Sequence, residues 1–74
     1  MSKVNMNAGK ALQLLMVERN INGVELAKAT GLTTVTISTL RHNRLISGNA
    51  LFTLCNYFGI TAAEFFQKGE DNEI

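Results

Sequence analysis

Between Thr33 and Arg44 the chain carries its most chemically suggestive side chains: Thr33, Thr34, Val35, Thr36, Ser38, Thr39, Arg41, His42 and Arg44. Hydroxyls can give and take single hydrogen bonds, and the basic groups are natural partners of phosphate. With Ile37 and Leu40 turned inward, the ~100° step of a helix turns Val35, Ser38, Thr39 and His42 outward, with Thr34 at the exposed first turn. A valine exposed on a short helix costs helix propensity and gains no burial. It either idles on the surface or meets a partner, and in a DNA major groove that partner is the C5-methyl group of thymine. Other chemistries find no support. Ser38, Ser47 and the threonines are capping or helix-surface residues with a single histidine, His42, and no paired carboxylates in the domain body, so no catalytic residue is assigned. One histidine and one cysteine give no metal site, and six scattered glycines make no phosphate-binding loop, so no cofactor is expected. Cys55 falls at helical spacing from Leu51 and Phe58 and reads as a small core residue.

The elements that must position these groups run from Asn22 to Arg44. Asn22 caps a short helix, and Glu25 three residues on can reach back to the Asn22 amide as a capping box. Gly31 closes that helix, because a helix end followed at once by a sharp turn favours a residue free to take positive φ. Thr33 opens the next helix, which Asn43 can end in a left-handed conformation. Leu26, Ile37 and Leu40 can share one core, and Ala27 is small enough to let the two helices approach closely. This is the sequence form of a helix-turn-helix, whose second helix normally enters a major groove.

On these residues the chain resembles the Cro and lambdoid phage-repressor (Xre-like) type of helix-turn-helix domain. The matching positions are Leu26-Ala27, Gly31, Thr33, Ile37 and Leu40, continuing through Leu51, Leu54, Phe58, Gly59-Ile60 and the TAAEFF segment from Thr61 to Phe66, so that the likeness spans roughly residues 8–67. The resemblance implies an all-α, compact five-helix lambda-repressor-like domain that binds double-stranded operator DNA, usually as a dimer. It points to Thr34, Val35, Ser38 and Thr39 as base contacts, and the backbone contacts expected are Asn22, Gly23, Thr33, Thr36, Arg41, His42 and Arg44. By analogy, a small regulator of this kind suits a repressor-like switch of a phage or mobile element. Two positions depart from the family. Gly23 stands where the family often has a glutamine whose amide clamps a phosphate or the recognition helix. Met16 and Arg41 replace an Arg–Glu pair between the first helix and the recognition helix, which leaves Arg41 available to a phosphate.

Around this motif, Asn7 can cap a first helix to about Arg19, with Leu12, Leu15, Met16 and Arg19 on one side and Leu14 and Val17 on another. The chain turns at Asn20 and drops Ile21 into the core. Ser47 caps a fourth helix ended by Gly59, and Thr61 with Glu64 forms a T-x-x-E box for a fifth helix to about Gln67. No stretch alternates with period two and proline is absent, so five short helices are expected. Residues 1–7 read as a flexible arm, 8–67 as the DNA-binding domain and 68–74 as an acidic solvated tail.

At 74 residues and a net charge of +1 the chain suits one small domain, not an overtly basic nucleic-acid binder. The charge is unevenly spread: residues 1–69 hold seven basic against three acidic groups, and three acidic groups fall in the last five positions. That tail is either a plain solubilising end or a device that trims non-specific DNA affinity. Lys10, Arg19, Lys28, Arg41 and Arg44 are the candidate phosphate contacts within the domain. With no signal-peptide pattern and no apolar run approaching the ~20 residues of a membrane span, a cytoplasmic protein is expected. No sensor domain is evident, so no small-molecule ligand and no membrane partner are expected. Phe52, Tyr57 and Phe66 exceed what a five-helix core needs and are candidates for a homodimer interface on an inverted-repeat operator, unless Phe65 and Phe66 simply close the core. A protein-interaction or antitoxin-like module that keeps the fold is the alternative to a DNA-binding regulator.

Overall fold

A computed structural model describes residues 4–72, with side-chain burial over 7–70. The order of elements is β1 (Val4–Met6), α1 (Ala8–Arg19), α2 (Gly23–Thr30), α3 (Thr34–His42), α4 (Gly48–Phe58), α5 (Ala62–Lys68) and β2 (Glu70–Asn72). Each helix begins where a side chain can accept from its first turn. Asn7, Asn22, Thr33, Ser47 and Thr61 receive the amides of Lys10, Glu25, Thr36, Ala50 and Glu64. The boxes at Asn22–Glu25 and Thr61–Glu64 are reciprocal, so each satisfies two otherwise orphaned donors. Gly31 ends α2 at φ 80, a conformation that costs glycine nothing and most other residues ~1–2 kcal/mol.

The core is one cluster with α1 at its centre, packed against α3 and α5, while α4 closes over α2 and α5. Leu12, Leu15, Leu26, Ile37, Leu54 and Phe65 are fully buried. Ala8, Ala11 and Met16 complete the inward stripe of α1, whereas Leu14 and Val17 face outward. Ile21, Leu32, Leu40, Leu51, Ile60 and Phe66 are partly buried against the cluster. Truncating one of the fully buried leucines would cost about 2–5 kcal/mol, a large share of what so small a domain has in reserve. No buried side-chain nitrogen or oxygen lacks a partner among the described residues.

Two expectations need correction. The arm and the tail are not both loose: Val4–Met6 pairs antiparallel with Glu70–Asn72, Val4 opposite Asn72 and Met6 opposite Glu70. The Asn7 amide extends the pairing to the Gly69 carbonyl at 2.9 Å. Backbone ladders need neither apolar side chains nor a period-two pattern, so a three-residue strand left no trace in the sequence. The second correction is at Asn43, which is extended (φ -104, ψ 145) and not left-handed. An extended exit lets its carbonyl reach the Gly9 amide at 2.8 Å and lets the Arg44 carbonyl reach the Ala8 amide at 3.0 Å. The left-handed asparagine is instead Asn20 (φ 54), which closes α1 at the expected turn.

Candidate nucleic-acid interface

The outer face of α3 is built by what its inner face buries. Ile37 is buried and Leu40 half-buried, so Thr34, Val35, Ser38 and Thr39 point to solvent, and Val35 is 73% exposed. At the start of the helix the Thr33 hydroxyl accepts the Thr36 amide at 3.1 Å and donates to the Thr36 hydroxyl at 2.9 Å. The two hydroxyls share this one hydrogen bond, which leaves one of their two protons to meet another acceptor. Arg41, His42 and Arg44 are all exposed at or just beyond the other end of α3.

An open groove of about 700 Å³ runs between the end of α1, the start of α2 and the end of α3, with Gln13, Asn22, Gly23 and Arg41 on its walls. The capping box uses the amides of Asn22 and Glu25, while those of Gly23 and Val24 have no intrahelical acceptor by position. A Cβ at Gly23 would lie 3.8 Å from Ile37 Cγ2, an ordinary contact. Packing therefore does not require glycine there, and its effect is to leave the amides at the start of α2 uncovered. The carboxylate of Glu25 borders the same groove, because its Oε1 accepts from the Asn22 amide at 3.1 Å. Its negative charge offsets part of the helix dipole and leaves Arg41 as the groove's cation. Met16 is buried and packs into the core.

Other candidates stand elsewhere. Arg19 is turned away to α4: its guanidinium donates to the Phe58 carbonyl at 2.9 Å and sits 5.6 Å over the Phe58 ring. Lys28 is exposed in the last turn of α2. Phe52 is 69% and Tyr57 40% exposed on α4, whereas Phe66 is half-buried and meets Phe65 edge-on at 5.8 Å. Phe52 borders an apolar groove of about 440 Å³ with Leu51, Cys55, Ile60 and Ala62.

Sequence reasoning missed the groups that hold α3 from behind. Gln13 Nε2 donates to the Arg41 carbonyl at 2.8 Å, beside the amides of Ala8 and Gly9 already described. One signal was available: Gly9 lies within the first turns of a helix, where glycine costs ~1 kcal/mol against alanine and so calls for a reason. Among the described residues no group of His, Cys, Asp or Glu side chains could hold a metal ion, and no helix is long and apolar enough to cross a membrane.

Comparison with known proteins agrees with this geometry. The family model for the Cro/C1-type helix-turn-helix DNA-binding domain matches residues 11–67. Among solved structures, the clp gene regulator ClgR from C. glutamicum superposes with a TM-score of 0.74 at 24% identity, over 84% of this chain and 82% of that one. Streptomyces albus HEPD, solved with 2-hydroxyethylphosphonate and Fe(II), gives the same TM-score of 0.74 at 20% identity, over 90% of this chain but only 17% of its own. At such identities both likenesses speak for the fold alone. No curated protein sequence matches the chain.

Proposed function

This chain belongs to the Cro/C1-type helix-turn-helix DNA-binding family, and from that premise we propose that it is a sequence-specific regulator acting in the major groove through α3. The observation that carries the reading is the exposed run of Thr34, Val35, Ser38 and Thr39, backed by buried Ile37 and ending in exposed Arg41, His42 and Arg44. In this reading the amides of Gly23 and Val24, the Thr36 hydroxyl and the cations of Arg41 and Arg44 hold phosphates. Val35 meets a thymine methyl, and Ser38 and Thr39 make single hydrogen bonds to base edges. None of these side chains can form the bidentate pairs of arginine with guanine or glutamine with adenine. Discrimination per position then sits near or below ~1 kcal/mol, and DNA shape carries much of the specificity.

The reading extends to a homodimer on an inverted repeat with half-site centres about 10 bp apart, or a multiple. On the family resemblance, it extends to a repressor-like switch of a phage or mobile element. The genes beside its own would decide that setting. Selection of bound duplexes from a random pool tests the main claim. An enriched motif, with affinity falling steeply as salt rises, supports it.

A second reading draws on Phe52, whose exposure beside an apolar groove suits a protein partner. Failure to enrich any duplex would favour that interaction module.

A further inference from the structure

The C-terminal end of α3 has no cap of its own in the usual sense. Asn43 leaves it extended, its amide reaching back only to the Leu40 carbonyl at 3.4 Å. The carbonyls that follow are served by α1 instead: Gln13 Nε2 on Arg41, the Gly9 amide on Asn43 and the Ala8 amide on Arg44. The two backbone donors belong to the first turn of α1, where amides have no intrahelical acceptor, so each bond satisfies an orphan at both ends. The approach is close enough that a Cβ at Gly9 would lie 2.5 Å from the Arg41 oxygen.

Three donors along one stretch of α1 thus hold the end of the helix that carries Val35, Ser38 and Thr39: one reaches its last turn at Arg41 and two reach its exit at Asn43 and Arg44. Two of the three are main-chain groups. The third is the side chain of Gln13, which acts across 28 residues of sequence. It is exposed and contributes little apolar burial. A long polar side chain held at 2.8 Å on a main-chain oxygen fixes where that oxygen sits relative to α1.

Accepting the DNA-binding reading above, we propose that Gln13 is a positioning residue for recognition. Through the Arg41 carbonyl it sets the tilt of α3 against the body of the domain, and with it the register of Val35, Ser38 and Thr39 on the bases. It touches no base in this arrangement. Because the reading faces of these residues make only single contacts, small rotations of α3 change which of them can form. Gln13 therefore governs preference between sequences more than binding as such.

The test uses the duplex enriched by the wild-type protein, a scrambled duplex of equal length, and the variants Gln13→Met, which keeps the length and loses the donor, and Gln13→Lys, which restores a donor. Gln13→Met should lower the ratio of cognate to scrambled affinity by about 3- to 10-fold while the melting temperature stays near wild type. Gln13→Lys should recover the ratio. In the Gln13→Met background, Val35→Ala should cost less than it does in the wild type, because the residue no longer meets its base squarely. Equal losses on both duplexes would mean a direct phosphate contact and overturn the proposal, as would an unchanged ratio. If the wild type itself enriches no duplex, the DNA-binding reading fails and takes this proposal with it. If the wild type does enrich a motif and Gln13→Met behaves identically, only the proposal about Gln13 fails.

Discussion

Arg19 closes α4 from outside, its guanidinium 2.9 Å from the Phe58 carbonyl and 5.6 Å above the Phe58 ring. A cation at the carbonyl end of a helix gains from the dipole, and the aromatic face adds a second attraction. Arg19 is thereby withdrawn from the set of phosphate candidates. We expect Arg19→Met to destabilise the fold by about 1 kcal/mol, lowering the melting temperature by roughly 4–8 °C. Its salt-dependence slope on duplex DNA should equal that of the wild type. A shallower slope would return Arg19 to the interface.

Val35 and Arg44 should fail in different ways. Val35→Ala removes the proposed methyl contact and is expected to lower cognate affinity by about 1 kcal/mol, with scrambled DNA nearly unaffected. Arg44→Ala removes a proposed phosphate partner and should weaken both duplexes alike, flattening the salt slope by about one unit. Fluorescence anisotropy titrations at two or more salt concentrations separate the two. Intact cognate affinity in Val35→Ala would show that the residue idles on the surface.

Gly9 stands where a side chain would meet the Arg41 and Asn43 oxygens, at 2.5 and 2.7 Å. Gly9→Ala gains helix propensity yet forces α1 and the exit of α3 apart, an overpacking that typically costs about 1–3 kcal/mol. A net loss of stability on thermal melting is expected, even though alanine is the better helix former. A stabilised variant would mean that the two segments yield without strain.

Phe52, the most exposed aromatic of α4, should report on self-association. The wild type is expected to sediment as a dimer at tens of micromolar. Phe52→Lys should sediment as a monomer whose melting temperature moves little, since a residue 69% exposed adds little to the core. A wild type that is monomeric both free and on DNA removes the dimer from the proposed function.

Burial pushes the Cys55 thiol up from its ordinary value. The folded state therefore keeps this proton to higher pH than the unfolded chain. The associated stability is full below the unfolded thiol's pKa and is lost as pH rises through the folded one. Near neutral pH, alkylation by iodoacetamide should run at least ~10-fold slower in the native protein than in denaturant. Comparable rates would contradict the buried thiol.

Helix boundaries were legible because their signals are local. Asn7, Asn22, Thr33, Ser47 and Thr61 each cap the helix their type and spacing announced, and Gly31 and Gly59 end theirs at positive φ. The outward turn of Val35 followed from Ile37 and Leu40, since the helical period and two inward neighbours fix a helical face. What stayed hidden depends on the main chain meeting itself at long range. The exit at Asn43 is decided by amides 34 and more positions earlier, and the pairing of Val4–Met6 with Glu70–Asn72 by a register that no side chain encodes. Arg19 looked like any other surface cation because its partner is a carbonyl on another helix.

The antiparallel match of Val4 with Asn72 makes the domain nearly a closed ring. A short flexible linker from Asn72 back to Val4 would span this ladder, so residues 4–72 are a natural candidate for circular permutation. New ends opened between α4 and α5, away from α3, would leave the helix-turn-helix covalently intact.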